Sequence, residues 1–194
     1  MHTGFGDPPW PPEDLRDRAY RRSDLRANEV LWRVHPVGMS PVYFGRSGRY
    51  RFDAPYHTGV LYAAAAADGA FVETFGRGDP VDRRLLEDRA ISRLRVPAEC
   101  GCVKFHGDGL AVIRATAEVA STRNYGLSQG WAAALFEHPL TPAGICYRVR
   151  HDNDEIGYAL FERVGCLEVA STERLIDFAD VWRLIEKYDI DYFK

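Results

Sequence analysis

The sequence predicts a single α+β domain in which a central mixed or antiparallel sheet is flanked by helices. Short apolar runs of strand length, at Val30–Val34, Gly59–Ala63 and Gly144–Arg148, sit between Gly, Pro and Asp punctuation. Between them lie stretches with apolar residues at helical spacing, around Ala70–Phe75, Val81–Ile91, Trp131–Phe136 and Leu175–Ile185. The chain has 194 residues, 46% hydrophobic and 27% charged, with no internal repeat or linker, which suits one buried core.

Composition also removes several function classes. The net charge of −3 offers no global basic field for nucleic acid. No apolar run approaches the roughly 18–20 residues that cross a bilayer. The start, MHTGFGDPPWPPEDL, lacks the basic and apolar regions of a signal peptide, so a cytoplasmic location is expected. The four cysteines, Cys100, Cys102, Cys146 and Cys166, read as reduced thiols. The Cys100–Cys102 gap is not that of a zinc knuckle, although His106 is near, and no metal site is expected.

Taken in order, residues 1–12 read as a Pro- and Gly-rich arm, and 13–27 as a helix with charges of both signs. Together, 1–27 form an N-terminal arm and helix before a domain at 28–194. VLWRVHP is a strand that inserts a guanidinium, Arg33, into an apolar run; an edge-strand charge and a functional cation are both open. Residues 37–58 are a long aperiodic loop with Tyr43, Phe44, Arg46, Arg49, Tyr50, Arg51, Phe52 and Asp53. Loops of this length are usually functional or disordered. Arginine forks with interleaved rings suit a dinucleotide's phosphates and bases, and RNA uses the same groups.

Gly59–Ala63 leads into a helix opening near Asp68, a favoured N-cap. Its stripe of Ala70, Phe71, Val72 and Phe75 is interrupted by Glu73. Either Glu73 lies on the wet side of the helix, or it points into a pocket with Tyr62 across from it. A helix is then expected over 81–92, and short strands over 94–96, 101–105, 110–113 and 118–120. A helix at 128–138 with Ser128 as N-cap follows, then strands at 144–148, 158–161 and 166–169, and one or two helices over 172–188.

The ordered set LWR, RYRFDAP, VLYAA and FVETF resembles the RES domain family from about Leu31 to Phe161. The resemblance implies a fold similar to the ADP-ribosyltransferase toxins, and a toxin that depletes NAD+ by hydrolysis or phosphorolysis. It places the family's arginines on Arg33 and Arg51, its tyrosine on Tyr62, its glutamate on Glu73 and its serine on Ser128 in YGLSQGWAAAL. Asp53 stands where Asn is more usual, and Val149 stands where many relatives carry a serine. A helix-turn-helix antitoxin is the partner the resemblance implies, and a homo-oligomer is left open.

The residues support that chemistry. Cleaving the nicotinamide–ribose bond builds positive charge at the anomeric carbon, which a carboxylate stabilises, and Glu73 is assigned that role. Arg33 and Arg51 are assigned to the pyrophosphate, Tyr62 to the nicotinamide ring, and Tyr43 and Phe52 to binding NAD+. Ser128 is assigned to a ribose, a phosphate or the attacking group. NAD+ is the substrate, no other cofactor is expected, and water or inorganic phosphate is the acceptor. Transfer of ADP-ribose to a macromolecule, and a catalytically weak nucleotide-binding protein, are the alternatives.

Overall fold

A computed structural model describes residues 8–164 and 167–193. Eight strands form one sheet. They are β1 (Arg22–Leu25), β2 (Val30–Pro36), β3 (Val60–Ala64), β5 (Arg89–Arg95), β6 (Cys100–Lys104), β7 (Gly144–Val149), β8 (Asp152–Phe161) and β9 (Glu168–Arg174). Their order is β1-β6-β7-β8-β3-β2-β5-β9, with β6 and β7 parallel and every other neighbouring pair antiparallel. Two-residue strands β4 (Val81–Asp82) and β10 (Tyr192–Phe193) pair separately in parallel. The helices are α1 (Ala67–Phe75), α2 (Arg83–Glu87), α3 (Asp108–Ile113), α4 (Ala117–Ser121), α5 (Tyr125–Phe136) and α6 (Val181–Lys187). The α+β expectation holds.

One feature of the sheet creates space. Strands β2 and β3 share a single residue pair, Trp32 with Ala64. Beyond it they part, while β2 stays fully paired with β5 from Val30 to Pro36, and β3 with β8 from Val60 to Ala64. The opening is covered by loop 37–58, pinned by the Gly45–Val60 and Ala54–Thr58 bridges. The Ala-rich end of β3 has a packing reason: α1 lies so close that a Cβ on Gly69 would sit 3.0 Å from that of Ala64. Phe71 and Phe75, with ring centroids 4.9 Å apart, bury the apolar face of α1 with Leu86, Ile91 and Leu184. A second cluster under α5 joins Trp131, Leu127 and Leu135 to Val103, Ile145 and Phe161.

Several local expectations are corrected. Residues 13–27 are not a helix: a 3-10 turn at Leu15–Asp17 precedes β1, whose backbone pairs with β6. Within that stretch only Leu15 and Leu25 are buried, ten positions apart, which gives a helix no apolar stripe. Residues 22–25 of this stretch are therefore built into the sheet. The helix expected at 81–92 shrinks to α2, because Ala90, Ile91, Ser92 and Leu94 are buried in β5 against β2. The strands expected at 110–113 and 118–120 are α3 and α4. Strand β8 begins inside the polar run RHDNDE, and 172–188 divides into the end of β9, a 3-10 turn and α6. Of the strand expected at 166–169, Cys166 lies outside the described residues.

Asp68 does not cap α1. Ala66 holds the cap position, and Asp68 sits in the first turn, where its carboxylate bonds to Arg183 and Lys187 of α6. Those hydrogen bonds, Arg183 first, outweigh burial and hold its acid form down to about 2. A depressed carboxylate adds stability above its unfolded value, and the gain is lost as pH falls through the folded value. Asp68→Asn is therefore expected to lower unfolding free energy at pH 7 by about 1 kcal/mol, discounted for the half-exposed cations. The gap should close between the ordinary Asp range, about pH 4, and pH 2, as read by urea denaturation.

Candidate active site

The parting of β2 and β3 opens a cavity of about 760 Å³, within the range of small-molecule sites. Arg33 and His35 come from β2, Tyr62 from β3, Glu73 and Thr74 from α1, and Tyr147 from β7. Loop 37–58 adds Tyr43, Arg49, Tyr50 and Arg51, and the β7–β8 hairpin adds Arg150 and His151. Arg77, Arg89 and Arg123 complete a wall of seven arginines facing one carboxylate, Glu73. Among the described residues none of the seven is ion-paired to a carboxylate. Arg33 donates to the Tyr43 carbonyl at 3.1 Å, and Arg51 to the Thr122 carbonyl while lying 5.2 Å over the Tyr125 ring. Burial pushes the Arg33 guanidinium down to about 10, so it stays charged at neutral pH, and burial lowers Arg51 in the same direction. Guanidiniums bonded only to carbonyls keep N–H groups for an anion.

Glu73 is aimed into this cavity and not at bulk water. Its Oε2 is enclosed and has no hydrogen-bond partner. Burial raises its acid form above the ordinary value, while Arg51, Arg77 and Arg150 pull it back. The result is a desolvated carboxylate kept ionisable by three nearby positive charges.

Tyr62 is held firmly. Its hydroxyl donates to Asp53 Oδ1 at 3.0 Å and accepts the Phe52 N–H at 2.9 Å, and its ring lies 5.7 Å from that of Tyr50. Asp53 is 1% exposed and also accepts from Ser47 Oγ and the Tyr50 N–H. All its partners are donors, which suits a carboxylate better than an amide. Gln129 clamps the same loop through the Gly48 and Tyr50 carbonyls at 2.8 and 3.0 Å. Loop 37–58 is thus pre-organised around Asp53. His35 is buried and neutral: burial lowers it, Nδ1 faces the Pro36 carbonyl at 3.0 Å, and Nε2 faces Ser92 Oγ at 2.8 Å.

Of the site residues read from the sequence, Arg33, Tyr43, Arg51, Tyr62 and Glu73 come together in the cavity. Phe52 and Ser128 do not. Phe52 is fully buried against Phe105 and Tyr147, and contributes its backbone N–H to Tyr62. Ser128 lies inside α5, whose cap is Asn124, and its hydroxyl donates to the Val119 carbonyl at 2.7 Å with no exposure. Val149 is also fully buried. The sequence reading assigned no role to Arg77, Arg123, Tyr147, Arg150 or His151. Arg77 follows α1 directly after its Gly76 cap, four residues on from Glu73, a closeness in sequence that could have pointed to it. Among the described residues, no group of three or more His, Cys, Asp or Glu is placed to hold a metal ion. No helix among them is long and apolar enough to cross a membrane.

The raised Glu73 acid form has a thermodynamic sign. Such a group adds stability that is complete below its unfolded value, near 4.5, and is lost as pH rises through the folded value. Glu73→Gln is expected to unfold at higher temperature than wild type at pH 7, with the advantage vanishing below about pH 4.5. Calorimetric scans across that pH range check both limbs.

Comparison with known proteins bears on the family and the fold. A curated protein described as probable toxin y4kH of Sinorhizobium fredii is 26% identical over 114 residues, covering 58% of this chain and 89% of that protein. A chain in the crystal structure of the M. tuberculosis MbcT–MbcA toxin–antitoxin complex superposes with a TM-score of 0.60 at 14% identity. It covers 84% of this chain and 93% of that one, which shows a shared fold. The model of the RES domain matches residues 30–183, the span that carries the cavity. The chain belongs to the RES domain family.

Proposed function

We propose that the cavity binds NAD+ and that the chain cleaves the nicotinamide–ribose bond, acting as the toxin of a toxin–antitoxin pair. The observation that carries this reading is the single desolvated carboxylate, Glu73, set in a cavity lined by seven arginines. Membership of the RES domain family and the toxin relatives support it.

In the mechanism, Arg33 and Arg51 hold the pyrophosphate, and Tyr43 and Tyr50 flank the dinucleotide at the loop. Tyr62 presents its ring to the nicotinamide, because its hydroxyl is already committed. The C–N bond breaks with its electron pair passing to the ring nitrogen, so nicotinamide leaves neutral. Positive charge grows on the ribose C1′, and the ionised Glu73 stabilises it in a site with little competing water. Water or inorganic phosphate then bonds to C1′, giving ADP-ribose and a proton, or its phosphorylated form. The positions of Arg77 and Arg150, close enough for their charge to act on Glu73, favour an anionic acceptor beside the carboxylate. An antitoxin would silence the chain by covering the cavity mouth. ADP-ribosyl transfer to a macromolecule is the competing reaction at the same centre.

Purified protein incubated with NAD+, with and without inorganic phosphate, is expected to release nicotinamide. Glu73→Gln should slow release about 10²–10³-fold. A phosphorylated ADP-ribose product would mark phosphorolysis, free ADP-ribose would mark hydrolysis, and label retained on protein or nucleic acid would mark transfer. No nicotinamide release by folded protein under any of these conditions would overturn the reading.

A further inference from the structure

Two tyrosines line the cavity from the sheet, Tyr62 on β3 and Tyr147 on β7, and their hydroxyls differ in state. The Tyr62 hydroxyl is spent on Asp53 and the Phe52 N–H. The Tyr147 hydroxyl has no hydrogen-bond partner among the described residues, although the residue is 3% exposed. Tyr147 is one of the residues that line the cavity.

The ring that carries this hydroxyl is fixed. It lies across Gly157, its register partner on β8, so closely that a Cβ there would stand 2.6 Å from the ring Cζ and 2.9 Å from the hydroxyl oxygen. The Phe52 ring backs it at a centroid distance of 5.1 Å. Burial first, then the Glu73 charge, holds the phenol proton on well above the ordinary tyrosine range, so the group is a donor at any physiological pH. The other hydroxyl expected in the site is not available: Ser128 is committed to Val119, and position 149 is a valine.

We infer that Tyr147 is a substrate-contacting residue whose hydroxyl donates to the 2′-oxygen of the nicotinamide ribose, while that 2′-hydroxyl donates to the Glu73 carboxylate. The inference rests on the NAD+ reading above. One sugar hydroxyl both accepts and donates, so a single group can meet the Tyr147 donor and the Glu73 carboxylate together, both of whose residues line the cavity. It is also the hydroxyl next to the reacting carbon. Donation from Tyr147 polarises it and strengthens its bond to the carboxylate, which holds Glu73 beside C1′ as charge develops there.

The test pairs Tyr147→Phe with two substrates, NAD+ and its analogue lacking the 2′-hydroxyl on the nicotinamide ribose. On NAD+ the variant should lose about 10–100-fold in kcat, the scale of one hydrogen bond to a charge-linked group, with KM changed far less. On the deoxy analogue, wild type and variant should turn over equally, because the contact is already missing. Unfolding temperature should be unchanged, since the ring and its packing remain. An undiminished kcat on NAD+, or the same loss on both substrates, would overturn the assignment while leaving the NAD+ reading intact. No nicotinamide release from wild type would remove that reading and this inference with it.

Discussion

The site depends on the desolvation of one carboxylate. Glu73 sits on a helix whose other inward residues are apolar, and burying its charge without compensation would cost several kcal/mol. Three arginines from three different segments supply the compensation: Arg51 from the loop, Arg77 after α1 and Arg150 from the β7–β8 hairpin. They do so at a distance, without ion pairs, so the carboxylate oxygen remains free. A direct salt bridge would stabilise the fold more and leave nothing to offer a substrate. The arrangement stores electrostatic work in the empty site, which a substrate hydroxyl and a developing cation can both release.

The rest of the architecture serves that constraint. The cavity exists because β2 and β3 pair at one residue and then diverge. The loop that closes the opening is set by Asp53, whose three donors include the Tyr62 hydroxyl and the Tyr50 N–H. The same carboxylate thus orients an aromatic wall and the backbone that carries Arg49 and Arg51. On the opposite side, α1 is fixed at its first turn by Asp68 to α6, and at its end by contact between Gly76 and His151. Glu73 thus shares the cavity with the loop that carries Arg51 and the hairpin that carries Arg150.

Much of this was legible in the chain, for a physical reason. Arg33 and Glu73 each interrupt a short apolar run, so the charge stands out, while Arg51 and Tyr62 were placed by the resemblance of RYRFDAP and VLYAA to the family's motifs. The α+β class followed from the same alternation of short and long apolar periods. What failed was non-local. Ser128 resembled a helix start, but Asn124 begins that helix four residues earlier and turns Ser128 inward. Phe52 resembled a stacking ring, but it fills the core while its neighbour Arg51 turns to the cavity. Residues 13–27 carry helix-like charges, yet their structure is decided by β6, far away in sequence. Tyr147 offered no signal at all, because its orientation depends on the absent side chain of Gly157 on the adjacent strand.

The strand order also governs when the cavity can exist during synthesis. Its walls come from β2, β3 and β7, but β3 is secured by β8, and the hairpin carrying Arg150 closes only when β8 has paired with β7. β5 in turn receives its outer neighbour only from β9. A ribosome-bound chain ending anywhere before β8 holds Arg33, Tyr62 and Glu73 without the partners that set them in place. Pairings between such distant segments form late and cooperatively. The arginine-lined cavity therefore cannot assemble until β8 and β9 have joined the sheet, well after Arg33, Tyr62 and Glu73 have been synthesised.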